Sequence, residues 1–361
     1  MLNWLKRYWK VLLLGGIPVA ATLEFVSPER ETAIFLTSAI AILPLAAYIG
    51  HATEELADRL GPGIGGFLNA TFGNAAELII GALALRRGLT DLVKASLTGS
   101  IIGNILLVFG LCAIVGGVRR PVLQFNRTAA ALGATMLVLS AIGLAVPAVF
   151  HQLARSSGRA PDLKLDTEIA IVLMLTYCAS LVFTLKTHRH LSGEPAQENT
   201  STGSIWPALG MLVAATVGVA WMSELLVGAL SGAARALGMS DLFVGVIVVA
   251  FIGNAAEHFS AVLMAARDQM DAAIAITIGS STQIALFVAP VLVFASYFIA
   301  PTPMNLLFTE FEVVAVGLSV LAIALIAHDG ETHWMEGVQL LAIYAILALG
   351  FYFLPGPANV P

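Results

Sequence analysis

The sequence predicts an all-α integral membrane protein with about 11 transmembrane helices: an extra N-terminal helix followed by two inverted five-helix repeats. Three observations lead to this fold class. The composition is strongly apolar, the apolar runs are long enough to cross a bilayer, and one motif recurs 180 residues further along the chain.

The composition indicates that lipid is the solvent for most of the chain. Hydrophobic residues make up 58% and charged residues only 11% of the 361 residues, and the mean hydropathy is +0.89. Soluble domains carry about 25% charged residues, which cover their surface. The 18 Lys and Arg are scattered, which gives no nucleic-acid footprint. Cys112 and Cys178 lie within apolar runs and are not expected to form a disulfide or a metal site.

Apolar runs of roughly 20 residues predict the individual spans. They are too long for barrel strands and do not alternate, so helices are expected. The basic N-terminal stretch leads into a first span that we expect to be retained. The eleven predicted spans cover residues 11–26, 33–50, 64–85, 92–117, 127–149, 167–186, 206–230, 241–266, 271–297, 311–328 and 336–354.

An internal repeat defines the organisation of these spans. A shift of 180 residues places the Gly-Asn-Ala-Ala-Glu segment ending at Glu77 on the one ending at Glu257, and Gly99-Ser100 on Gly279-Ser280. Each half has five spans, and an odd number of crossings inserts the second half upside down, as in many secondary transporters. We therefore expect four parts: an extra helix (1–30), the first repeat (31–186), a polar cytoplasmic linker (187–205) and the second repeat (206–361).

The distribution of basic residues gives the expected orientation. With a cytoplasmic N-terminus, ten of the 18 Lys and Arg face the cytoplasm, which follows the positive-inside rule. These ten are Lys6, Arg7, Lys10, Arg59, Arg119, Arg120, Arg127, Lys186, Arg189 and Arg267. The short termini favour the inner membrane of a prokaryotic cell.

Two carboxylates at matching positions are the main candidates for function. Glu77 and Glu257 lie inside apolar spans, where a charge costs on the order of 2.5–3.5 kcal/mol. Asn74 and Asn254 precede them by three residues and share their helix faces. The glycine before each Asn either loosens the backbone and frees carbonyl oxygens or lets a neighbouring helix approach closely.

The next span of each repeat adds polar side chains. These are Ser100 and Asn104 in the first repeat, and Ser280 and Gln283 in the second. All candidate ligands are oxygens, which favours a hard cation over zinc or copper. Ca²⁺ takes six to eight oxygen ligands, and two carboxylates balance its charge. Ca²⁺ and H⁺ are then transported substrates, and the sequence predicts no cofactor.

The pair of acids also suggests a coupling mechanism. Two buried carboxylates repel each other, and a metal requires them deprotonated. Ca²⁺ and protons would therefore compete for Glu77 and Glu257, with His258 as a further candidate in proton coupling. If only neutralised states reorient, one ion must exchange for the other.

Other acidic residues are candidates for a secondary role. Glu54 and Glu55, at the end of the second span, and Glu224, within the seventh, are placed to line access paths, although solvated helix ends explain them equally well. The sequence contains no metalloprotease, phosphate-loop or nucleophile motif, so we do not expect an enzyme.

Both motif pairs resemble the signature repeats of the cation/proton exchanger family. The similar segments begin at Gly73 and Gly253, and at Gly99 and Gly279, and the resemblance covers nearly the whole chain. It implies a Ca²⁺/H⁺ antiporter of the cation/Ca²⁺ antiporter superfamily, whose glutamates bind Ca²⁺ and protons alternately. Two features depart from that family: Gly103 stands where members often carry Ser, and the linker holds only two acids, Glu194 and Glu198.

Two alternative functions remain at this stage. Na⁺/Ca²⁺ exchangers of the same superfamily tend to carry an additional carboxylate on the second motif helix, and residues 280–283 contain none. A cation channel also uses paired acids, but it conducts without a coupled counter-ion. The sequence leaves the oligomeric state open.

Overall fold

The computed structural model describes residues 10–156, 163–187 and 204–354; within the ranges 61–70 and 154–163, several positions are described by their backbone alone. The N-terminal residues 1–9 and most of the predicted linker (188–203, including Glu194 and Glu198) lie outside the described residues.

The described chain is almost entirely helical. The first half contains α1 (Gly16–Val26), α2 (Glu31–Phe72), α3 (Ala75–Arg86), α4 (Thr90–Ile102), a π-helical turn π1 (Gly103–Val108), α5 (Phe109–Gly117), β1 (Leu123–Gln124), α6 (Arg127–Ser156), α7 (Leu163–Val182) and π2 (Phe183–Thr187). The second half contains α8 (Trp206–Ala236), α9 (Asp241–Phe243), π3 (Val244–Val249), α10 (Ala250–Ala266), α11 (Met270–Gln283), π4 (Ile284–Val288), α12 (Ala289–Ile299), α13 (Glu310–Ala327), β2 (Glu331–Thr332) and α14 (Trp334–Phe353).

Nine helical segments of the described residues are long and apolar enough to cross a membrane. The remaining two of the eleven spans are a short helix, α1, and a broken one. The third span, predicted at 64–85, is divided by a break at Gly73-Asn74 between α2 and α3. Conversely, no break separates it from the second span, because α2 runs through 42 residues. Such a helix is about 63 Å long, well beyond the thickness of a hydrocarbon core.

The two halves share the arrangement of their second motif helices. The α4 helix begins at Thr90, α11 begins at Met270, 180 residues later, and each runs into a π-helical turn after its second motif. The extra α1 precedes the first half. Because each half crosses the membrane five times, the halves are inverted relative to each other.

The four motif helices α3, α4, α10 and α11 pack together at the centre of the molecule, while α2 packs along α8 of the other half. Outer helices carry large apolar side chains that point away from the protein, such as Phe298 (90% exposed) and Phe353 (75% exposed). In a membrane protein these faces contact lipid. A two-residue antiparallel bridge between β1 and β2 joins the loops that precede α6 and α14.

Candidate cation-binding site

The two predicted carboxylates lie on α3 and α10, one from each half. Glu77 is in the first turn of α3 and is 8% exposed, and the break at Gly73-Asn74 brings it to a helix start. Glu257 lies within the continuous helix α10 and is half-buried. Of the two roles considered for the motif glycines, loosening of the backbone therefore occurs at Gly73 but not at Gly253.

Gly253 instead provides the close approach. A methyl group at Gly253 would lie 3.2 Å from Oε1 of Glu77 and 3.4 Å from its Cδ atom. The Glu77 carboxylate thus rests against the α10 backbone, one turn before Glu257, and the two carboxylates are near enough to repel each other. Each glycine satisfies one of the two roles that the sequence left open.

The two motif asparagines contact the second motif of the opposite half. Asn74 Nδ2 donates to Gln283 Oε1 at 2.6 Å. Asn254 Nδ2 donates to Ser100 Oγ at 2.8 Å and to the carbonyl oxygen of Ala250 at 2.9 Å. Reciprocal contacts of this kind fix the position of each carboxylate relative to the other half.

A hydrogen-bonded chain continues from Asn254 on one side of the site. Asn104 Nδ2 donates to Asn254 Oδ1 at 3.4 Å, and Asn104 Oδ1 lies 2.8 Å from Nε2 of His258. Ser280 Oγ donates to Oε2 of Glu257. The amide oxygens of both Asn104 and Asn254 are therefore engaged by other side chains.

Two acceptors on the other side have no donor among the described residues. Oε2 of Glu77 and Oδ1 of Asn74 are both buried and accept no hydrogen bond. An unsatisfied buried acceptor is costly, and a carboxylate in an apolar environment more so. A proton or a cation bound at this point removes that cost.

All eight predicted ligands thus belong to one cluster formed by the four motif helices. Among the residues that the structure describes, no group of three or more His, Cys, Asp or Glu side chains is arranged so that it could hold a metal ion. The cluster instead offers two carboxylates together with amide and hydroxyl oxygens. Such a set suits a hard divalent ion.

The three candidates for access paths have different surroundings. Glu54 is exposed, whereas Glu55 pairs with Arg59. Glu224 pairs with Arg87 through a 2.6 Å contact between Oε1 and Nη2. Two of the three carboxylates are therefore neutralised by an arginine in this conformation.

Two buried acids were not among the candidate residues predicted from the sequence. Asp166 is 1% exposed and Glu312 is 2% exposed. Glu312 lies at the second position of the predicted span 311–328, so it resembled a helix end in water. The signal for its burial was that Glu312 is followed by a long apolar segment.

Comparison with known proteins identifies the class of protein. The chain matches the sodium/calcium exchanger protein family over residues 31–186 and 207–353, and it belongs to that family. It is 44% identical to a Ca²⁺/H⁺ antiporter of Aphanothece halophytica, over 98% of each chain. It is 43% identical to the Ca²⁺/H⁺ antiporter ChaA of Bacillus subtilis, over 97% of this chain and 100% of the relative.

Solved structures show the same fold. Native YfkE superposes with a TM-score of 0.82 at 41% identity, covering 95% of this chain and 99% of YfkE. The H⁺/Ca²⁺ exchanger CAX superposes with a TM-score of 0.68 at 14% identity, covering 96% of this chain and 92% of the exchanger. The resemblance to the cation/proton exchangers that the sequence motifs indicated is confirmed.

Proposed function

We propose that this protein is a secondary active Ca²⁺/H⁺ antiporter that moves Ca²⁺ out of the cytoplasm against proton influx by alternating access. The observation that carries the proposal is the pair of buried, donor-free oxygens of Glu77 and Asn74 opposite Glu257, between the inverted halves. The near full-length similarity to proteins named Ca²⁺/H⁺ antiporters supports the choice of ions.

The chemistry of the site follows from charge balance. Ca²⁺ binds where Glu77, Glu257 and Asn74 supply oxygens, and hydroxyl, amide or water oxygens complete its six to eight ligands. When Ca²⁺ leaves, the two carboxylates are too close to remain charged together in an apolar centre, so they take up protons. Either occupant neutralises the pair, and the empty charged site does not reorient.

The inverted repeats provide the movement. A site at the interface of two such halves is exposed to one side or the other as the halves rock. We assign the halves to residues 31–186 and 206–361, the extra helix to 1–30 and the cytoplasmic linker to 187–205. The N-terminus then faces the cytoplasm, and the protein resides in the cell membrane.

The experiment is ion exchange by the full chain in proteoliposomes. With an acidic lumen and Ca²⁺ outside, the wild-type protein takes up Ca²⁺ and releases protons. Glu77→Gln and Glu257→Gln each abolish this uptake, because an amide supplies neither the charge nor the titrating group. Glu331→Gln is the matched control: this exposed acid in β2 lies away from the motif helices, and its loss leaves uptake unchanged.

Two further conditions separate the alternatives. Uptake driven by a Na⁺ gradient at equal pH identifies a Na⁺/Ca²⁺ exchanger. Downhill Ca²⁺ flux without proton release identifies a channel. Normal uptake by the Glu77→Gln, Glu257→Gln double variant contradicts the assignment of the site.

A further inference from the structure

Helix α4 presents three different faces to its neighbours. Residues four apart share a face of a helix, so Lys94 and Thr98 form one face and Ala95 and Gly99 a second. Ser100, together with Asn104 in the π1 turn that continues α4, forms the third, which faces the cation-binding site. The rotation of α4 therefore determines whether that third face reaches Asn254.

The first face is held by polar contacts to the segment around the start of α13. Thr98 Oγ1 donates to Oε1 of Glu312 at 3.1 Å. Lys94 Nζ donates to the carbonyl oxygen of Leu307 at 2.9 Å and to Asn305 Oδ1 at 3.3 Å, and it interacts electrostatically with Glu312. Lys94, Thr98 and Glu312 are 8%, 0% and 2% exposed. We name these three residues the α4 latch.

Glu312 joins two elements at once. Its Oε2 accepts 2.8 Å hydrogen bonds from the backbone N and the Oγ1 of Thr309. The bond from Thr309 N and the reciprocal bond from Glu312 N to Thr309 Oγ1, at 3.2 Å, form a capping box at the start of α13. Oε1 of Glu312 binds Thr98. A single side chain thus fixes where α13 begins and how α4 is rotated.

The second face of α4 packs closely against π3. A methyl group on Gly245 would lie 2.7 Å from Cβ of Ala95, and one on Gly99 would overlap the carbonyl oxygen of Val246. Close packing and the α4 latch therefore act on adjacent faces of the same helix.

The mirrored crossing, between α11 of the second half and α6 of the first, shows that packing alone does not require these polar residues. The residues 180 positions away from Lys94, Thr98 and Glu312 are Ile274, Ile278 and Leu132. There α11 packs on α6 through apolar contact, with Ile278 Cγ2 2.6 Å from where a methyl on Gly133 would lie. Buried ionisable groups are costly in a membrane, so the presence of Lys94 and Glu312 at one of the two mirrored crossings only points to a role in transport.

We propose that Glu312 is a positioning residue: through Thr98, and with Lys94, it holds α4 in the rotation at which Ser100 and Asn104 reach Asn254. It thereby sets the affinity of the site for the transported cation without touching the ion. This inference rests on the proposed function and concerns the same site.

The test compares variants that remove the Thr98–Glu312 hydrogen bond with variants that keep it. Thr98→Val keeps the shape and loses the donor, and Glu312→Leu copies the residue of the other half. Each is expected to raise the KM for Ca²⁺ in gradient-driven uptake by about tenfold at similar maximal rate, the size of effect usual for groups that orient metal ligands.

The conservative variants provide the controls. Thr98→Ser keeps the hydroxyl, and Glu312→Gln keeps an acceptor for Thr98 and still completes a capping box. Both are expected to stay within about twofold of the wild-type KM, as is Ile278→Val at the mirrored crossing.

Two results overturn the proposal. An unchanged KM for Thr98→Val shows that the hydrogen bond does not position α4. An equal loss in Glu312→Gln and Glu312→Leu shows that the charge of Glu312 acts directly in exchange. If Glu312→Leu does not fold, the Thr98 variants alone decide.

A binding measurement separates this inference from the proposed function. The Ca²⁺ concentration that gives half of the maximal rise in Tm is determined for the purified full chain in detergent, without a proton gradient. If the wild type fails to exchange Ca²⁺ for protons, the antiport assignment fails. The α4 latch is still tested in that case, because Thr98→Val is expected to raise this Ca²⁺ concentration and Thr98→Ser is expected to leave it unchanged.

Discussion

Replacing Gly253 with alanine probes the contact between the two halves at the carboxylates. The added methyl would lie 3.2 Å from Oε1 of Glu77 and 3.4 Å from its Cγ and Cδ atoms. That spacing is tighter than an ordinary van der Waals contact, so the carboxylate has to move by a few tenths of an ångström. Nothing else in the motif changes.

The size of the effect follows from the tolerance of Ca²⁺ coordination. Ca²⁺–oxygen distances span only about 2.3–2.6 Å, so a displacement of that size is enough to weaken one carboxylate oxygen as a ligand. We expect affinity to fall by about 10- to 100-fold, which corresponds to about 1.4–2.8 kcal/mol. Gly→Ala within a helix stabilises it by about 0.5–1 kcal/mol. The variant is therefore expected to bind Ca²⁺ more weakly while being as stable as the wild type or more so.

The assay pairs the KM for Ca²⁺ in proteoliposomes with the Tm of the Ca²⁺-free protein. Gly317→Ala is the matched control, because Gly317 lies in α13 with no atom of the described residues within 4 Å of an added methyl. It gains helix propensity and keeps its KM. An unchanged KM in Gly253→Ala, or the same rise in both variants, would refute the contact between α10 and Glu77 as a determinant of affinity.

Two more predictions concern helix packing. The carboxylate oxygens of Asp166 lie 2.9 and 3.0 Å from the buried Nε2 of His151. Asp166→Ala removes this partner, so we expect the free energy of unfolding to fall by about 3–5 kcal/mol and the Tm to fall with it. The KM for Ca²⁺ of the folded fraction is expected to stay unchanged. Gly99→Ala places a methyl on the carbonyl oxygen of Val246 and forces α4 away from π3, so Ca²⁺ uptake is expected to fall sharply. Gly210→Ala is the control: its added methyl has no atom of the described residues within 4 Å, and Ca²⁺ uptake is retained.

Much of the fold was predictable because hydropathy indicates where most spans lie and the internal repeat indicates how they are organised. The boundary between the second and third spans was not. Residues 51–60 are polar enough to interrupt an apolar run, but Glu54, Glu55 and the alanines around them are good helix formers, so α2 continues through them. The helix breaks later, at Gly73-Asn74. Hydropathy reports which side chains tolerate lipid, and it does not report where the backbone turns.

The clustering of the motif residues was predictable from the sequence, but the availability of their oxygens was not. The motif placed Glu77, Glu257, Asn74 and Asn254 in one cluster, as the structure has them. Which amide oxygen is free depends on partners from the opposite half, such as Asn104, which occupies Asn254 Oδ1. One sequence taken alone gives no signal for hydrogen bonds between side chains that lie more than 100 residues apart in the chain.

These pairings make a symmetric motif into an asymmetric site. On one side, Oε2 of Glu77 and Oδ1 of Asn74 have no donor among the described residues, so they can contact a cation without rearrangement. On the other side, Ser280 donates its hydroxyl proton to Glu257, and that hydroxyl must rotate before its oxygen can face a cation. The oxygens of Glu77 and Asn74 are therefore open as they stand, whereas the oxygen of Ser280 requires that rotation. The shared pentapeptide places the carboxylates and the asparagines, whereas partners from the opposite half determine which of their oxygens already accept hydrogen bonds.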